Sequence, residues 1–412
     1  MISFRGLWPA VGLLALSLAM ATCSTFRPGR EVPSDHDFRG VWVATVNNID
    51  WPSRRDLSVE EQKRELIAIL DQVSALRLNA VMLQVRPAAD ALYASSLEPW
   101  SEYLTGQMGR PPVPLYDPLA FAVTEAHARG LQLHAWFNPF RAHHPSGRSP
   151  IDELHISRTH PELVRRYGRY LWLDPGEEAV RRWSEAVILD VVRRYDIDGV
   201  HLDDYFYPYP EKDADGDEIE FPDEVPWSRY RAGGGTLTRA NWRRDNINRF
   251  VRELYAQVKA ARPYMQVGIS PFGIWRPGSP EQIRGFDAYA SIYADSRLWL
   301  QQGWVDYLAP QLYWPIGKPQ QSFPVLLRWW TAQSTLGRPI WPGLSVSRLA
   351  SPSRPKGWPA AEIAEQMRIA RTTRGAGGFI LFSMRALMED RGGVDAAVID
   401  ELPPRHTMMV RK

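Results

Sequence analysis

Eight short β-rich runs separated by helical patterns constrain the fold of this chain more than any other feature. They read RGVWVATV (39–46), NAVMLQVR (79–86), LQLHAWFN (131–138), DGVHLDDY (198–205), QVGISPFG (266–273), DYLAPQLYW (306–314), PIWPGLSV (339–346) and GGFILFSM (377–384). Helical stretches such as SVEEQKRELIAILDQVSALR, EEAVRRWSEAVILDVVRRY and AAEIAEQMRIARTTRG lie between them. Regular alternation of this kind forces the strands into one parallel sheet, and eight units predict an α/β chain folded as a single (β/α)8 TIM barrel. The barrel is expected over 38–395, with a C-terminal tail at 396–412.

Parity within the runs separates two faces. Gln84 and Arg86, His134 and Asn138, His201 and Asp203, and Gln311 and Tyr313 share one parity, while Val81, Leu83, Leu133, Phe137, Val200, Leu202, Leu308 and Leu312 occupy the other. The first set should face the barrel axis and the second should pack beneath helices. The polar inward residues gather late in each run, where barrels of this type carry their chemistry.

Net charge is +2, from 49 basic and 47 acidic residues, which leaves no electrostatic case for a nucleic-acid partner. Seventeen tryptophans and 16 tyrosines are more than a core alone usually needs, and flat rings are surfaces on which sugars stack. The single cysteine, Cys23, follows MISFRGLWPAVGLLALSLAMAT, a basic start and an apolar run of signal-peptide length. Residues 1–22 are therefore expected to be a lipoprotein-type signal peptide, with Cys23 lipidated and Ser24 permitting the outer membrane. Plain signal-peptidase cleavage is the alternative, since Thr22 departs from the usual small residue. Residues 23–37 read as a tether, and the expected location is the periplasm, with the membrane met through the N-terminal lipid.

Asp50, Asp90, Asp203, Asp204, Glu389 and Asp390 lie just beyond strands, and only the fourth strand offers an adjacent inward pair. Asp203 has inward parity. Asp204 is the last residue before an aromatic, proline-rich loop and is expected to turn into a shared, open sugar pocket. Neighbouring carboxylates suit a retaining glycosidase that uses the substrate's N-acetyl group: one orients the acetamide and the other serves as acid, then base. Alternatives are a helix N-cap, a salt bridge to Arg86, or Asp203 as a covalent nucleophile with its acid on another loop.

Arg86 is a candidate for a substrate carboxylate, for one of the aspartates, or for a buried structural pair. Gln84, Asn138 and Gln311 suit sugar hydroxyls or a core network. His134 reads as a core histidine and His201 as one reaching Asp203. Tyr205, Tyr207, Trp275, Tyr313 and Trp314 follow strand ends as stacking candidates. Asp213, Asp215 and Asp217 have calcium-loop spacing, but Glu218 stands where such loops need glycine, so the segment reads as a solvated rim. No metal and no cofactor are expected. The loops after the seventh and eighth strands lack a Gly-rich phosphate cradle, which argues against a phosphorylated substrate.

With these residues assembled, the chain resembles the bacterial glycosyl-hydrolase-like family ten over nearly all of 38–390. The resemblance rests on FRGVWVATVNNIDWPS, QVRPAADALYASSLEPWS, DPLAFAVTEAHARGLQLHAWFNPFR, DGVHLDDYFYP, ISPFGIWRPG, DSRLWLQQGWVDYLAPQLYW and GGFILFS. It implies an exported barrel, an outer-membrane lipoprotein that cleaves peptidoglycan glycan strands stripped of stem peptides, and cell-division proteins as candidate partners. A lipoprotein that binds cell-wall glycan without cutting it is the competing expectation, because a barrel alone never proves activity.

Overall fold

The structure, a computed structural model, describes residues 37–403; Cys23 and its flanking segments lie outside them. Each of the eight runs supplies a strand: β1 (Phe38–Val43), β2 (Ala80–Arg86), β3 (Gln132–Phe137), β4 (Gly199–Leu202), β5 (Gln266–Ile269), β6 (Tyr307–Leu308), β7 (Gly343–Leu344) and β8 (Gly378–Leu381). They form one parallel sheet in the order β7-β8-β1-β2-β3-β4-β5-β6. Helices follow the strands, beginning with Val59–Ala75, whose first turn is closed by a capping box between Ser58 and Glu61. Its buried face, Leu66, Ile69, Leu70 and Val73, packs against the sheet. The last helix, Val394–Glu401, runs through the expected start of the tail and buries Val398.

The sheet is curled and barrel-like rather than a cylinder with a continuous ladder. Its edge strands β6 and β7 meet only through isolated bridges, Leu308 with Ile340 and Gln311 with Gly343. The cause is local: Pro310, Pro339 and Pro342 bring no amide hydrogen to this seam. The Trp341 and Gly343 amides still donate across it to the carbonyls of Leu308 and Pro310, both at 2.8 Å.

Inward parity builds a second core inside the curl. Phe38, Trp42, Met82, Trp136, Tyr307, Trp341 and Ile380 cluster there, apart from the larger core between sheet and helices. Phe38 stacks on Trp341 at 3.7 Å and meets His134 of the non-adjacent β3 edge-on. Above them runs a directional hydrogen-bond chain. The Trp42 indole N–H can only donate, so the His201 Nε2 that receives it at 3.0 Å carries no proton. His201 Nδ1 then donates to the Tyr307 hydroxyl at 2.9 Å, which donates to His134 Nδ1 at 2.9 Å. His134 Nε2–H finally faces Gln132 Oε1 at 3.3 Å.

Burial holds both imidazoles neutral, His134 down to about 4 and His201 well below the usual histidine range. The unfolded chain takes up protons near pH 6.5 and the folded chain does not, so each ring's contribution is present above pH 6.5 and is lost as pH falls from there, for His134 down to about 4. The slope is about 1.4 kcal/mol per pH unit per ring. Buried Asp204 and Asp174, both raised to about 7 by burial, act in the opposite sense, so total stability does not isolate the rings. Ring ¹⁵N shifts do. Both histidines should remain neutral down to pH 5, and a transition near 6.5 in either would mean that water reaches the interior.

Candidate active site

At the C-terminal end of β4 the chain leaves the sheet as Asp203-Asp204-Tyr205. Asp203 points inward, as its parity requires. The Trp136 indole donates to its Oδ2 at 3.1 Å, the Asn138 amide donates to the same oxygen, and the Tyr205 backbone N–H donates to Oδ1 at 3.2 Å. Burial raises the Asp203 carboxyl, while the Arg141 charge and these donors pull it back toward the anion. Asp204 accepts from the Tyr209 hydroxyl and from Gln311. Burial first, and then the neighbouring Asp203 charge, push it up to about 7. The pair thus places a well-donated carboxylate beside one that holds a proton near neutrality.

Support for Asp203 runs outward through side chains. Asn138 Oδ1 accepts from Gln84 at 2.5 Å and from Arg141 at 2.8 Å. Gln84 in turn receives the Thr45 and Val46 amides at 2.9 Å, tying the end of β1 to the site. Gln84 and Asn138, both wholly buried, therefore form a network beneath the acids. His201 belongs to the interior chain one layer lower and does not reach Asp203.

Arg86 departs from its expected direction. The β2–β3 register shifts between Gln84 and Arg86, so Gln84 sits opposite inward Trp136 while Arg86 sits opposite outward Phe137. One extra residue reverses the parity. Arg86 is 0% exposed and pairs with Glu98 at 2.5 Å, a placement that gives no access to a sugar. Tyr207 is likewise buried, packed against Phe221 and Tyr293 under the loop after β4.

The remaining rings gather unevenly. Half-buried Tyr205 lies under the Arg141 guanidinium at 5.1 Å and edge-on to Tyr209. Tyr313 stacks on Phe382, and the charges of Asp204 and Asp203 add to the burial that raises its hydroxyl. Trp314 meets Phe272, which also touches Tyr209 and Phe286. Trp275 instead stacks on Trp329 and donates to Asp295, within the helical layer.

The sequence reading missed Trp136, Arg141 and Tyr209. Each carried a signal: Trp136 shares inward parity with Asn138, Arg141 follows in NPFR, and Tyr209 closes the YFYPYP run. Of the other strand-end acids, Asp50 is occupied by the Ala44 and Arg385 amides and the Ser383 hydroxyl. Glu389 pairs with Arg391 at 2.7 Å. Among the described residues no group of three metal-ligating side chains converges, and Asp213 accepts the amides of Asp215 and Asp217.

The expected open pocket is not there. Asp203 is 5% exposed and Asp204 2%, with Tyr209 bonded directly to Asp204.

Comparison with known proteins decides the kinship. The model of the family described as glycosyl hydrolase-like 10 matches residues 37–356. The chain belongs to that family. Glycosyl hydrolase-like 10 membership places it among glycoside hydrolases. Glycosyl hydrolase YngK of Bacillus subtilis is 40% identical over 378 residues, 90% of this chain and 72% of that protein. Glycosyl hydrolase DigH of Escherichia coli K12 is 34% identical over 381 residues, 84% of each. Among solved structures, the PgaB glycoside hydrolase domain from Bordetella bronchiseptica superposes with a TM-score of 0.59 at 14% identity, over 88% of this chain and 98% of that one. The β-amylase catalytic domain from Paenibacillus polymyxa gives 0.57 at 13%, over 90% and 99%. At such identities these two likenesses speak for the fold alone.

Proposed function

We propose that this glycosyl hydrolase-like 10 member cleaves peptidoglycan glycan strands that lack stem peptides, retaining the anomeric configuration through the substrate's own N-acetyl group. One observation carries the reading: burial raises both adjacent carboxyls at the end of β4, but Asp203 is drawn back toward the anion by Arg141 and three donors while the Asp203 charge helps push Asp204 up to about 7. Asp203 as an anion orients and polarises the acetamide, whose oxygen attacks the anomeric carbon. Asp204 gives its proton to the leaving oxygen, then takes one from the water that opens the cyclic intermediate. A bound sugar displaces the Tyr209 hydroxyl from Asp204 and so opens the buried pair to the substrate.

In this reading residues 1–22 direct export, Cys23 carries the lipid, and 23–37 tether the barrel to the outer membrane inside the periplasm. Cell-division proteins are its proposed partners. The near-complete burial of both acids favours, as a second reading, a lipoprotein that holds glycan without cutting it.

Mass spectrometry of intact and amidase-treated sacculi separates the two. Soluble fragments with new reducing ends should appear from the amidase-treated material and far less from the intact. Pull-down of strands with no new ends after long incubation would leave only the binding reading.

A further inference from the structure

The loops after β1 and β3 enclose a cavity of about 380 Å³ lined by Asn47, Asn48, Arg54, Arg55, Asp56 and Arg148, at the same end of the sheet as Asp203. We propose that it receives the carboxylate of a carboxylate-bearing sugar in the bound strand, which makes it a subsite for an acidic N-acetylhexosamine. The proposal rests on the peptidoglycan reading above and names the substituent that the strand presents at the same end of the sheet as the acids.

Charge and preorganisation both point there. Three guanidinium groups face one carboxylate across the lining. Arg55 is fixed: it donates to Asn48 Oδ1 at 3.1 Å, to Glu102 at 2.6 Å and to the Ser146 carbonyl at 2.8 Å, and lies over the Tyr103 ring at 4.8 Å. Its charge is matched by buried Glu102, so it shapes the wall more than it attracts. Arg54 and Arg148 are uncommitted. Arg54 lies 3.7 Å from exposed Asp56 and adds charge near Glu61 of the helix Val59–Ala75, both contacts of little strength in water. The backbone of Arg148 is held by its N–H to Glu102 at 2.8 Å, while its guanidinium has no partner among the described residues. Two planar forks open to solvent, Arg148 on backbone anchored to Glu102 and Arg54 held only by weak surface charge, suit bidentate capture of a carboxylate.

The cavity is also coupled to the acids. Arg148 belongs to the loop that begins with Asn138 and Arg141, the residues that hold Asp203. Arg385, just past β8, donates to the Asn48 carbonyl at 2.6 Å and fixes the floor.

Binding tests this without requiring turnover. The full chain is titrated calorimetrically with N-acetylglucosamine–N-acetylmuramic acid oligosaccharides and with the same oligosaccharides after reduction of the lactyl carboxyl to an alcohol. The charged ligand should bind about tenfold tighter, and the difference should shrink in high salt. In R54A/R148A the two ligands should bind alike, and R148K should keep part of the difference. Equal affinity of both ligands for the unaltered chain, or an undiminished difference in the double variant, overturns the subsite. Loss of the hydrolase reading would show separately, as tight charge-dependent binding without new reducing ends.

Discussion

Asp204→Asn should lower kcat/KM on denuded glycan strands by roughly 10²- to 10⁴-fold, the usual worth of a positioned general acid. The substitution preserves shape and keeps an acceptor for the Tyr209 hydroxyl, so folding should be unchanged. What it removes is the proton that burial and the Asp203 charge hold near neutrality at this position. The pH profile gives the sign. Asp204 must be protonated to act, and burial beside Asp203 raises it to about 7, so the unaltered enzyme should lose kcat/KM as pH rises through that value. The alkaline limb should vanish in the Asn variant. An aryl N-acetylhexosaminide, whose leaving group needs no proton, should recover most of the lost rate. Asp203→Asn should not be rescued by that substrate, because the missing charge acts on the acetamide rather than on the leaving group. Full activity in both variants would sink the assignment. Equal rescue of both by the aryl substrate would exchange their roles.

Much of this arrangement was legible in the sequence because a strand has a period of two and a barrel has one polar end. Seven strands lie within the runs that alternation marks and β1 starts one residue early, at Phe38, while Gln84, Asn138, His201 and Asp203 point as parity requires. What failed did so where the period breaks. The register shift at Arg86 turns that side chain out of the barrel, and nothing in NAVMLQVR signals an extra residue. The β6–β7 seam stays without a ladder because prolines carry no donor; those prolines are plain in the sequence, but their convergence on one seam is a fact of topology. The loop after β3 holds a small antiparallel sheet, Arg141–His143, Tyr170–Leu173 and Val164–Tyr167, whose short strands RAH, YLWL and VRRY show no apolar alternation. Tyr209 was illegible for another reason. Nothing in YFYPYP tells which ring folds back over the acids, because proline-rich loops follow no side-chain period.

Glu98→Gln should cost about 3 to 5 kcal/mol of stability, the usual price of breaking a buried ion pair from one side. Arg86 and Glu98 have 0% and 1% exposed side chains, and nothing but protein surrounds them. Arg86 spends every nitrogen: Nε and Nη2 on the two oxygens of Glu98, and Nη1 on the carbonyls of Asn138 and Pro139 at 2.6 and 3.0 Å. Glu98 also receives the Trp183 indole at 3.1 Å, which joins the pair to the helix Glu178–Arg194. Glutamine keeps the hydrogen-bonding shape but leaves a guanidinium charge in a dry interior with only Asp90, itself raised to about 6 by burial, as a carboxyl nearby. The double variant Arg86→Met/Glu98→Leu removes both charges and should regain most of the stability, since apolar replacement of a whole buried pair is often neutral or better. Urea midpoints of the three proteins test the argument, and a loss under about 1 kcal/mol in Glu98→Gln would mean that water already reaches the pair. Activity should not follow stability here. Arg86 holds the backbone that presents Asn138, and Asn138 holds Asp203, so the double variant should fold well yet turn over slowly. A double variant both stable and fully active would show that the hydrogen bonds from Gln84 and Arg141 alone suffice to orient Asn138.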